Sequence, residues 1–304
     1  MKFIDLYQEA IFWTCYLENC PEPERYLNIY GLNRDDLFLF DNLGIFFPFH
    51  EFYVRRSDNN TPRMIDNLDS SKKNLILPWM YWPMGSKDTY GGKQIICPPA
   101  EIFTLLDNKI ETKKIFMKLG IPTPGWSLAK NGKEMLEKPI QNSAGGLGIK
   151  LTVDNPGEGC FLEDYIADHQ SIGLQFFVYD EVEFICANEM MFHLNGKQMF
   201  TFHAQKNIPL KELPPKLTEE CMDLGSYLMD MGYKGFWGVD ALVGHDGHYL
   251  LEINPRGIAF LPAFFAASAH GWTNFITYMN KGDVNQQEIV LVDFGKSRKV
   301  VKVL

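Results

Sequence analysis

The spacing of apolar residues changes along the chain and predicts different elements in its first two stretches. Residues 1–97 carry short apolar runs separated by polar breaks, a pattern typical of strands joined by turns. Between Ala100 and Leu119 apolar residues recur every three or four positions, which predicts one amphipathic helix. Gly120, with prolines close behind it, is a helix stop signal.

The pattern returns to strands over residues 134–205, where Asn195-Gly196 and Tyr179-Asp180 are predicted hairpin turns. A second helix is predicted over residues 218–231, with Thr218 and Gly232 as its caps. The order of helix, β meander, helix and β hairpin is typical of mixed α/β or α+β architecture.

The last predicted hairpin, residues 235–256, carries the densest set of polar side chains. Strand alternation puts Glu252 and Asn254 on one face, and Arg256 follows with the same parity if the strand continues. The face on which the side chain of Asp240 lies depends on the length of the turn. A three-residue turn at residues 245–247 places Asp240 opposite Glu252, whereas a two-residue turn at 246–247 places them on opposite faces.

Opposed carboxylates repel each other unless a cation lies between them. With the amide oxygen of Asn254 they form an all-oxygen set, the ligand type that Mg²⁺ prefers. The alternative is a polar strand face turned to solvent. His245 and His248 flank the turn and are interpreted as solvated turn residues rather than ligands.

A glycine-rich segment, residues 143–148, follows Lys138 and lies between two predicted strands. Glycines let backbone N–H groups approach an anion, and Lys138 adds a charge. The segment fits neither common phosphate-binding glycine motif, so a flexible hairpin tip is the equal alternative. Further on, residues 161–166 form an apolar strand interrupted by acids, whose backbone groups are of the kind that read an adenine.

Composition narrows the classes of function. The 304 residues contain 38 acidic and 29 basic side chains, a formal charge of −9, which argues against a nucleic-acid binder. The hydrophobic share of 46% supports a sizeable core. A length of 304 residues suits two domains.

Sequence features that report on the cellular compartment point to the cytoplasm. The six cysteines form no paired framework, so we expect buried thiols in a reducing compartment. The first residues show no signal peptide. The longest uncharged apolar run, residues 258–269, is shorter than the roughly 20 residues that cross a bilayer. That run is predicted to be a core or dimer-facing helix, with a substrate-pocket wall as the alternative.

Taken together, these motifs resemble the ATP-grasp superfamily. The terminal signature of that family is similar to Asp240 with Glu252-Ile-Asn254-Pro-Arg256, and its first lysine helix to residues 106–113. Its Lys-Pro and glycine flap resemble Lys138-Pro139 with residues 143–148, and its adenine hinge resembles residues 163–166. The resemblance runs from about residue 98 to residue 262.

The resemblance implies an ATP-grasp fold in which two α+β subdomains sandwich ATP. A small α/β N-terminal domain would occupy residues 1–97 and the ATP-grasp domain residues 98–304, with a lid subdomain at about 121–162. Only 28 residues separate Lys109 from Lys138, which implies a shortened lid.

The resemblance also implies a role for each matching residue. Asp240, Glu252 and Asn254 would hold one or two Mg²⁺ ions, with Mn²⁺ as a substitute, and Arg256 and Lys138 would act on the transferred phosphoryl group. The family usually places a ribose-binding acid where Gln170 stands, so Asp168 is the substitute. The remaining ATP contacts would come from Lys109, Ser143, Gly145, Gly146, Gly148, Glu163, Tyr165, Ile166 and Lys206.

The function implied is an ADP-forming ligase that joins a small carboxylic acid to an amine through an acyl phosphate. Phosphoryl transfer needs positioned charge rather than a nucleophilic side chain, consistent with a chain that shows no persuasive nucleophilic triad. The alternatives are a regulatory or scaffold protein with a degenerate ATP site and an ATP-grasp kinase. The expected partners are the two small substrates and a second copy of the chain, with no nucleic acid and no membrane.

Overall fold

The computed structural model describes residues 93–141, 149–194 and 200–258, positions 260, 261 and 264, and separate strands on either side. The first 95 residues contribute a five-stranded sheet in the order β2-β1-β3-β5-β4. All neighbours in it are parallel except β4 and β5. The strands are β1 (Glu9–Trp13), β2 (Phe52–Arg55), β3 (Asn74–Pro78), β4 (Thr89–Tyr90) and β5 (Lys93–Ile95). This sheet lies within the proposed N-terminal domain, whose boundary stays a prediction.

The predicted helix from Ala100 to Leu119 is two helices, α1 (Ala100–Asp107) and α2 (Lys109–Leu119). The prediction of one helix was wrong because Asn108 adopts an extended backbone and caps α2. Its side-chain oxygen accepts hydrogen bonds from the amides of Ile110 and Glu111. At the other end the prediction is confirmed, since Gly120 closes α2 in the left-handed conformation.

A small antiparallel sheet follows α2, in the order β6-β9-β7-β8. Its strands are β6 (Trp126–Ser127), β7 (Met135–Pro139), β8 (Lys150–Thr152) and β9 (Cys160–Asp164). β7 and β8 pair as a hairpin, as the sequence predicts. The connecting glycine-rich segment falls in residues 142–148, outside the described residues, so Ser143, Gly145, Gly146 and Gly148 stay predictions.

The large sheet has eight strands in the order β14-β13-β10-β11-β12-β15-β16-β17, all antiparallel. Val178 pairs with Val182, so Tyr179-Asp180 lies in a turn as predicted. β11 and β12 also pair, although residues 195–199 between them lie outside the described residues. The strands are β10 (Gln170–Val178), β11 (Val182–Leu194), β12 (Phe200–Ile208), β13 (Gly235–Gly244), β14 (Gly247–Asn254), β15 (Phe275–Met279), β16 (Ile289–Asp293) and β17 (Lys299–Val301).

Helix α3 (Pro215–Asp230) covers one face of the large sheet after a short 3-10 turn, Leu210–Glu212. It begins three residues before the predicted start at Thr218, because proline is favoured in the first helical turn. Buried residues on this face include Ile172, Leu174, Leu217, Leu224, Leu228, Trp237, Val239 and Leu250. Apolar side chains fill this face of the large sheet, so the polar side chains of the same strands, such as Asp240, lie on the opposite face.

The predicted mixed α+β architecture is therefore confirmed. The predicted helix over residues 258–269 is described only at its start, where Phe264 N donates to Phe260 O and where Ile258, Phe260 and Leu261 are buried. In the part of the chain that the structure describes, no helix has the length and apolarity needed to span a membrane.

Candidate functional site

The β13–β14 hairpin brings Asp240 opposite Glu252, but through a turn that neither sequence alternative contained. Gly244 pairs with Gly247, so the turn is the two residues His245 and Asp246. This register continues to Ala241 and Leu250, then shifts, and Asp240 pairs with Glu252. Leu251 is the extra residue of a β-bulge. Without the bulge, Glu252 would project from the face opposite Asp240.

The two opposed carboxylates lie in surroundings that act on them differently. Burial and the neighbouring charge of Glu252 raise the pKa of Asp240 to about 7. Burial also acts to raise the pKa of Glu252, but the positive charges of Lys109 and Lys138 outweigh it and hold that pKa below its usual value. The pair therefore ionises readily at Glu252 and reluctantly at Asp240, which favours a cation beside Asp240.

Asn254 and Arg256 complete this end of the hairpin. Asn254 is buried, pairs with Gly238, and its side chain hydrogen-bonds Asp240. β14 ends at Asn254, so Arg256 follows the strand rather than extending it, and its backbone amide donates to the Asn254 carbonyl at 2.7 Å. The guanidinium still acts on both carboxylates: its charge partly opposes the rise in the pKa of Asp240 and helps to lower that of Glu252.

Lys109 reaches the carboxylates from the first position of α2. Its Nζ lies 3.1 Å from Glu252 Oε2, and the lysine side chain is buried. The Asn108 cap starts the helix directly before Lys109, and the Lys109 amide donates to Ile140 O at 2.9 Å. The cap and this bond fix the backbone from which Lys109 projects.

A second group of charges lies on the small sheet. Glu163 on β9 is almost fully buried and forms ion pairs with Lys138 on β7 and with Lys113 on α2. Lys113 Nζ lies 2.5 Å from Glu163 Oε2, and its side chain has no exposed area. Burial lowers the pKa of Lys113 even though Glu163 acts to raise it.

The two groups form one electrostatic cluster, because Lys138 acts on Glu252 and Glu252 acts on Lys113. Its cations are Lys109, Lys113, Lys138 and Arg256, and its carboxylates are Glu163, Asp240 and Glu252. Four positive and three negative groups leave a net charge of +1 when all are ionised. A cluster of this kind suits a polyanion that arrives with a divalent cation.

The donor set fits magnesium in the manner usual for phosphate-bound Mg²⁺, which takes one or two carboxylates and draws its other ligands from phosphates and water. Asp240, Glu252 and Asn254 supply two carboxylates and an amide on one face. Among the described side chains, no three His, Cys, Asp or Glu residues converge as an all-protein metal site.

The predicted hinge, residues 163–166, begins in the last two residues of β9 and continues beyond it. Tyr165 is exposed and Ile166 half-buried. Asp168 is exposed and has a φ of 58°, in the left-handed region where few residues other than glycine are found. Gln170 begins β10, and its side-chain amide lies 3.5 Å from Glu189. The hinge thus includes the buried Glu163 of the charge group, while the contacts of its residues to a nucleotide stay predictions.

Lys206 is not brought into this cluster. It pairs with Glu189 in the β11–β12 ladder, and Glu189 pairs with Ile172 on β10. Since directly paired residues share a face, Lys206 belongs to the face of the core residue Ile172 and not to that of Asp240. The register of β12 therefore places Lys206 on the other face of the sheet from Asp240, and its contact with ATP stays a prediction.

Sequence reasoning missed buried amide side chains on the face of Asp240, among them Asn188, Gln205 and Asn207. Asp240 pairs with Gly173, Gly173 with Asn188, and Asn188 with Asn207. Asn188 Nδ2 donates to Gln205 Oε1 at 3.3 Å. The sequence shows that side chains alternate between the two faces of β11 and β12. It does not show which of the two alternating sets lies on the face of Asp240.

His248 corrects another interpretation. It is buried, and its Nε2 lies 2.5 Å from Glu220 Oε2 on α3, so it anchors the hairpin to the helix rather than meeting solvent. His245 at the turn is fully exposed, as interpreted from the sequence.

Comparison with known families shows the family to which the chain belongs. A family model described as an ATP-grasp domain matches residues 106–259, just over half of the chain. The chain belongs to the ATP-grasp family. The matched region contains every residue of the charge cluster, from Lys109 to Arg256. A comparison with curated protein sequences gives no match.

Solved ATP-grasp structures share the fold along most of the chain. An ATP-grasp superfamily protein from Archaeoglobus fulgidus matches 97% of this chain over 99% of its own, with a TM-score of 0.57 and 14% identity. The biotin carboxylase domain of the Hydrogenobacter thermophilus 2-oxoglutarate carboxylase, solved with MgADP, ADP and bicarbonate, matches 98% over 83%, with a TM-score of 0.53 and 15% identity. At these identities the likeness shows the fold alone.

Proposed function

We propose that this ATP-grasp chain is an ATP- and Mg²⁺-dependent ligase that joins a small carboxylic acid to an amine. The observation that carries the proposal is the cluster of four cations around three carboxylates, with Asp240 and Glu252 opposed at its centre. The ADP- and magnesium-containing structure of a related fold supports the choice of nucleotide and metal.

In the proposed reaction the substrate carboxylate attacks the γ-phosphorus of ATP. The bond to the β-phosphate oxygen breaks, which gives an acyl phosphate and ADP. The amine then attacks the acyl carbon, inorganic phosphate leaves with the bonding electron pair, and the amine nitrogen loses a proton. No protein nucleophile is required, so placing charge is the main task of the side chains.

The side chains divide this task by position. Asp240, Glu252 and Asn254 would hold the Mg²⁺, which neutralises charge on the transferring phosphate when bound. Lys109 and Lys138 would contact the phosphates, and Arg256, beside the carboxylates, would steady the phosphoryl group. Contacts to the nucleotide would also come from the hinge at Glu163, Tyr165, Ile166 and Asp168, and from the loop at Ser143, Gly145, Gly146 and Gly148.

The direct test is ADP formation from ATP with a panel of small carboxylic acids and amines. We expect ADP, phosphate and an amide in equal amounts for one acid and amine pair. Glu252→Gln should lower the rate at least about a hundredfold, because a metal ligand loses its charge. Asp246→Asn is the matched control, since this exposed acid lies at the tip of the same hairpin.

The alternatives give different results in this assay. A kinase would release a product heavier by one phosphoryl group, with no condensation. A scaffold protein would bind ATP without forming ADP with any pair, and its binding of partners would survive Glu252→Gln. Either result would rule out the ligase.

A further inference from the structure

The segment between α2 and β6 lies along the free side of strand β14. Leu250 N donates to Pro122 O at 2.8 Å, and Thr123 Oγ1 donates to Leu250 O at 2.7 Å. β14 is the terminal strand of the large sheet, so its ladder leaves backbone groups pointing outward. Pro122 and Thr123 bind these groups at one residue, Leu250.

This contact lies directly before the β-bulge. Leu250 is the last residue of the regular register, Leu251 is the extra residue, and Glu252 follows. A bulge re-aims the side chain that follows it, and its geometry depends on how the strand is held on both sides. Leu250 faces Ala241 in the ladder, but its own N–H and C=O both point outward and bond the loop.

Lys113 extends the contact to the small sheet. Its Nζ donates to Thr123 Oγ1 at 3.0 Å and forms the buried ion pair with Glu163. The Thr123 hydroxyl therefore accepts from Lys113 while it donates to Leu250. A continuous set of polar contacts runs from Glu163 on β9 to the backbone of β14, one residue from the bulge.

We infer that Thr123 is a positioning residue for the metal ligand Glu252, and that Lys113 couples this position to Glu163. The inference rests on the proposed function, in which Glu252 holds Mg²⁺. Its physical basis is the hydroxyl group, which alone in this side chain both accepts and donates a hydrogen bond. Valine has the same shape without this capacity.

The experiment titrates Mg²⁺ into protein with ADP by calorimetry and compares variants at Thr123. Thr123→Val should weaken the apparent Mg²⁺ affinity about tenfold, the scale seen when a group that orients a metal ligand is removed. Thr123→Ser keeps the hydroxyl and should stay within about twofold of the wild type. Thr123→Cys, a milder change with a weak S–H donor, should fall between them.

Thr218→Val is the matched control. Thr218 is also half-buried, and its hydroxyl donates to a backbone carbonyl, that of Pro214 at 3.4 Å. The Thr218→Val variant should lower the midpoint of thermal unfolding much as Thr123→Val does, but it should leave the Mg²⁺ affinity unchanged. Equal Mg²⁺ affinities for the Thr123 and Thr218 valine variants would overturn the inference. If the wild type binds no nucleotide with Mg²⁺, the proposed function itself is wrong and the inference falls with it.

A double-mutant comparison tests the part of Lys113. Lys113→Met should also weaken Mg²⁺ affinity, and combining it with Thr123→Val should add little, because both changes break the same set of contacts. Losses that simply add would show that Lys113 does not act through Thr123.

Discussion

Asp240 and Glu252 face each other across two strands because Leu251 is bulged out of the ladder. The turn at His245 and Asp246 sets a register that would otherwise place Leu251 opposite Asp240. One extra residue thus changes a lone half-buried aspartate into half of a carboxylate pair. Burial, together with the charge of Glu252, raises the pKa of Asp240 to about 7, which has a measurable consequence for metal binding.

Divalent-cation binding should strengthen as the pH rises from about 6 to about 8. A protonated Asp240 does not bind a cation, and with a pKa of about 7 the proton competes below neutrality. Each pH unit below 7 should lower the apparent affinity by up to about tenfold, with proton release on binding. Calorimetry with Mg²⁺ and ADP, repeated in buffers of different ionisation heats, measures both the apparent affinity and the number of protons released.

Two variants bracket this prediction. Asp240→Asn should remove most of the pH dependence together with much of the affinity, whereas Asp246→Asn should change neither. An affinity that is constant from pH 6 to pH 8 in the wild type would contradict the assignment of Asp240 as a ligand.

Glu163→Gln should destabilise the fold by about 3–5 kcal/mol, because Lys113 and Lys138 would both lose their buried carboxylate. Urea unfolding measures the loss. Glu111→Gln is the control, since its contact with Lys114 at 2.7 Å is exposed and should be worth under about 0.5 kcal/mol. Similar losses for the two variants would show that burial does not govern the energy of these ion pairs.

Lys138→Met and Lys150→Met should separate nucleotide binding from packing of the β7–β8 hairpin. Lys138 is buried in the charge cluster, so its loss should weaken ADP binding by at least about tenfold as a phosphate partner is removed. Lys150 pairs with Glu137 on the same hairpin, but its side chain is 49% exposed. Its loss should cost at most about 1 kcal/mol and leave ADP binding unchanged. Calorimetric titration with ADP checks both, and equal binding by the two variants would contradict the role of Lys138.

Asn108→Ala should destabilise the protein by about 1 kcal/mol, because two amides at the start of α2 lose their acceptor. It should also weaken ADP binding a few fold, since Lys109 projects from the first residue of that helix. Asn131→Ala, which removes an exposed turn contact to the Lys133 amide, is the control for both measurements. An Asn108→Ala variant that is destabilised but binds ADP with unchanged affinity would contradict the proposed contact of Lys109 with the nucleotide.

How much of this structure the sequence predicts depends on whether the interactions involved are local. The turn at Tyr179-Asp180 and the end of α2 at Gly120 follow from a few neighbouring residues and were predicted. The Asn108 break is also local, since asparagine before a helix is a favoured cap, and it was overlooked. The order of elements was enough for the architecture.

Strand register lay beyond the sequence because it depends on distant partners. The bulge at Leu251 is held from outside the sheet by Thr123, which is more than a hundred residues away in the chain. The face occupied by Lys206 depends in the same way on how β12 pairs with β11. The residues of the candidate site were therefore found by type and spacing. The sheet face on which each side chain lies was decided by tertiary contacts.

The loop contact at Leu250 also bears on how this chain could assemble. A terminal strand with outward-facing amide and carbonyl groups is a natural place for a second copy to extend the sheet. At Leu250 those groups are already bound by Pro122 and Thr123. A homodimer that joined its large sheets through β14 would first have to displace this loop, so a pairing of that kind would disturb the geometry of Glu252.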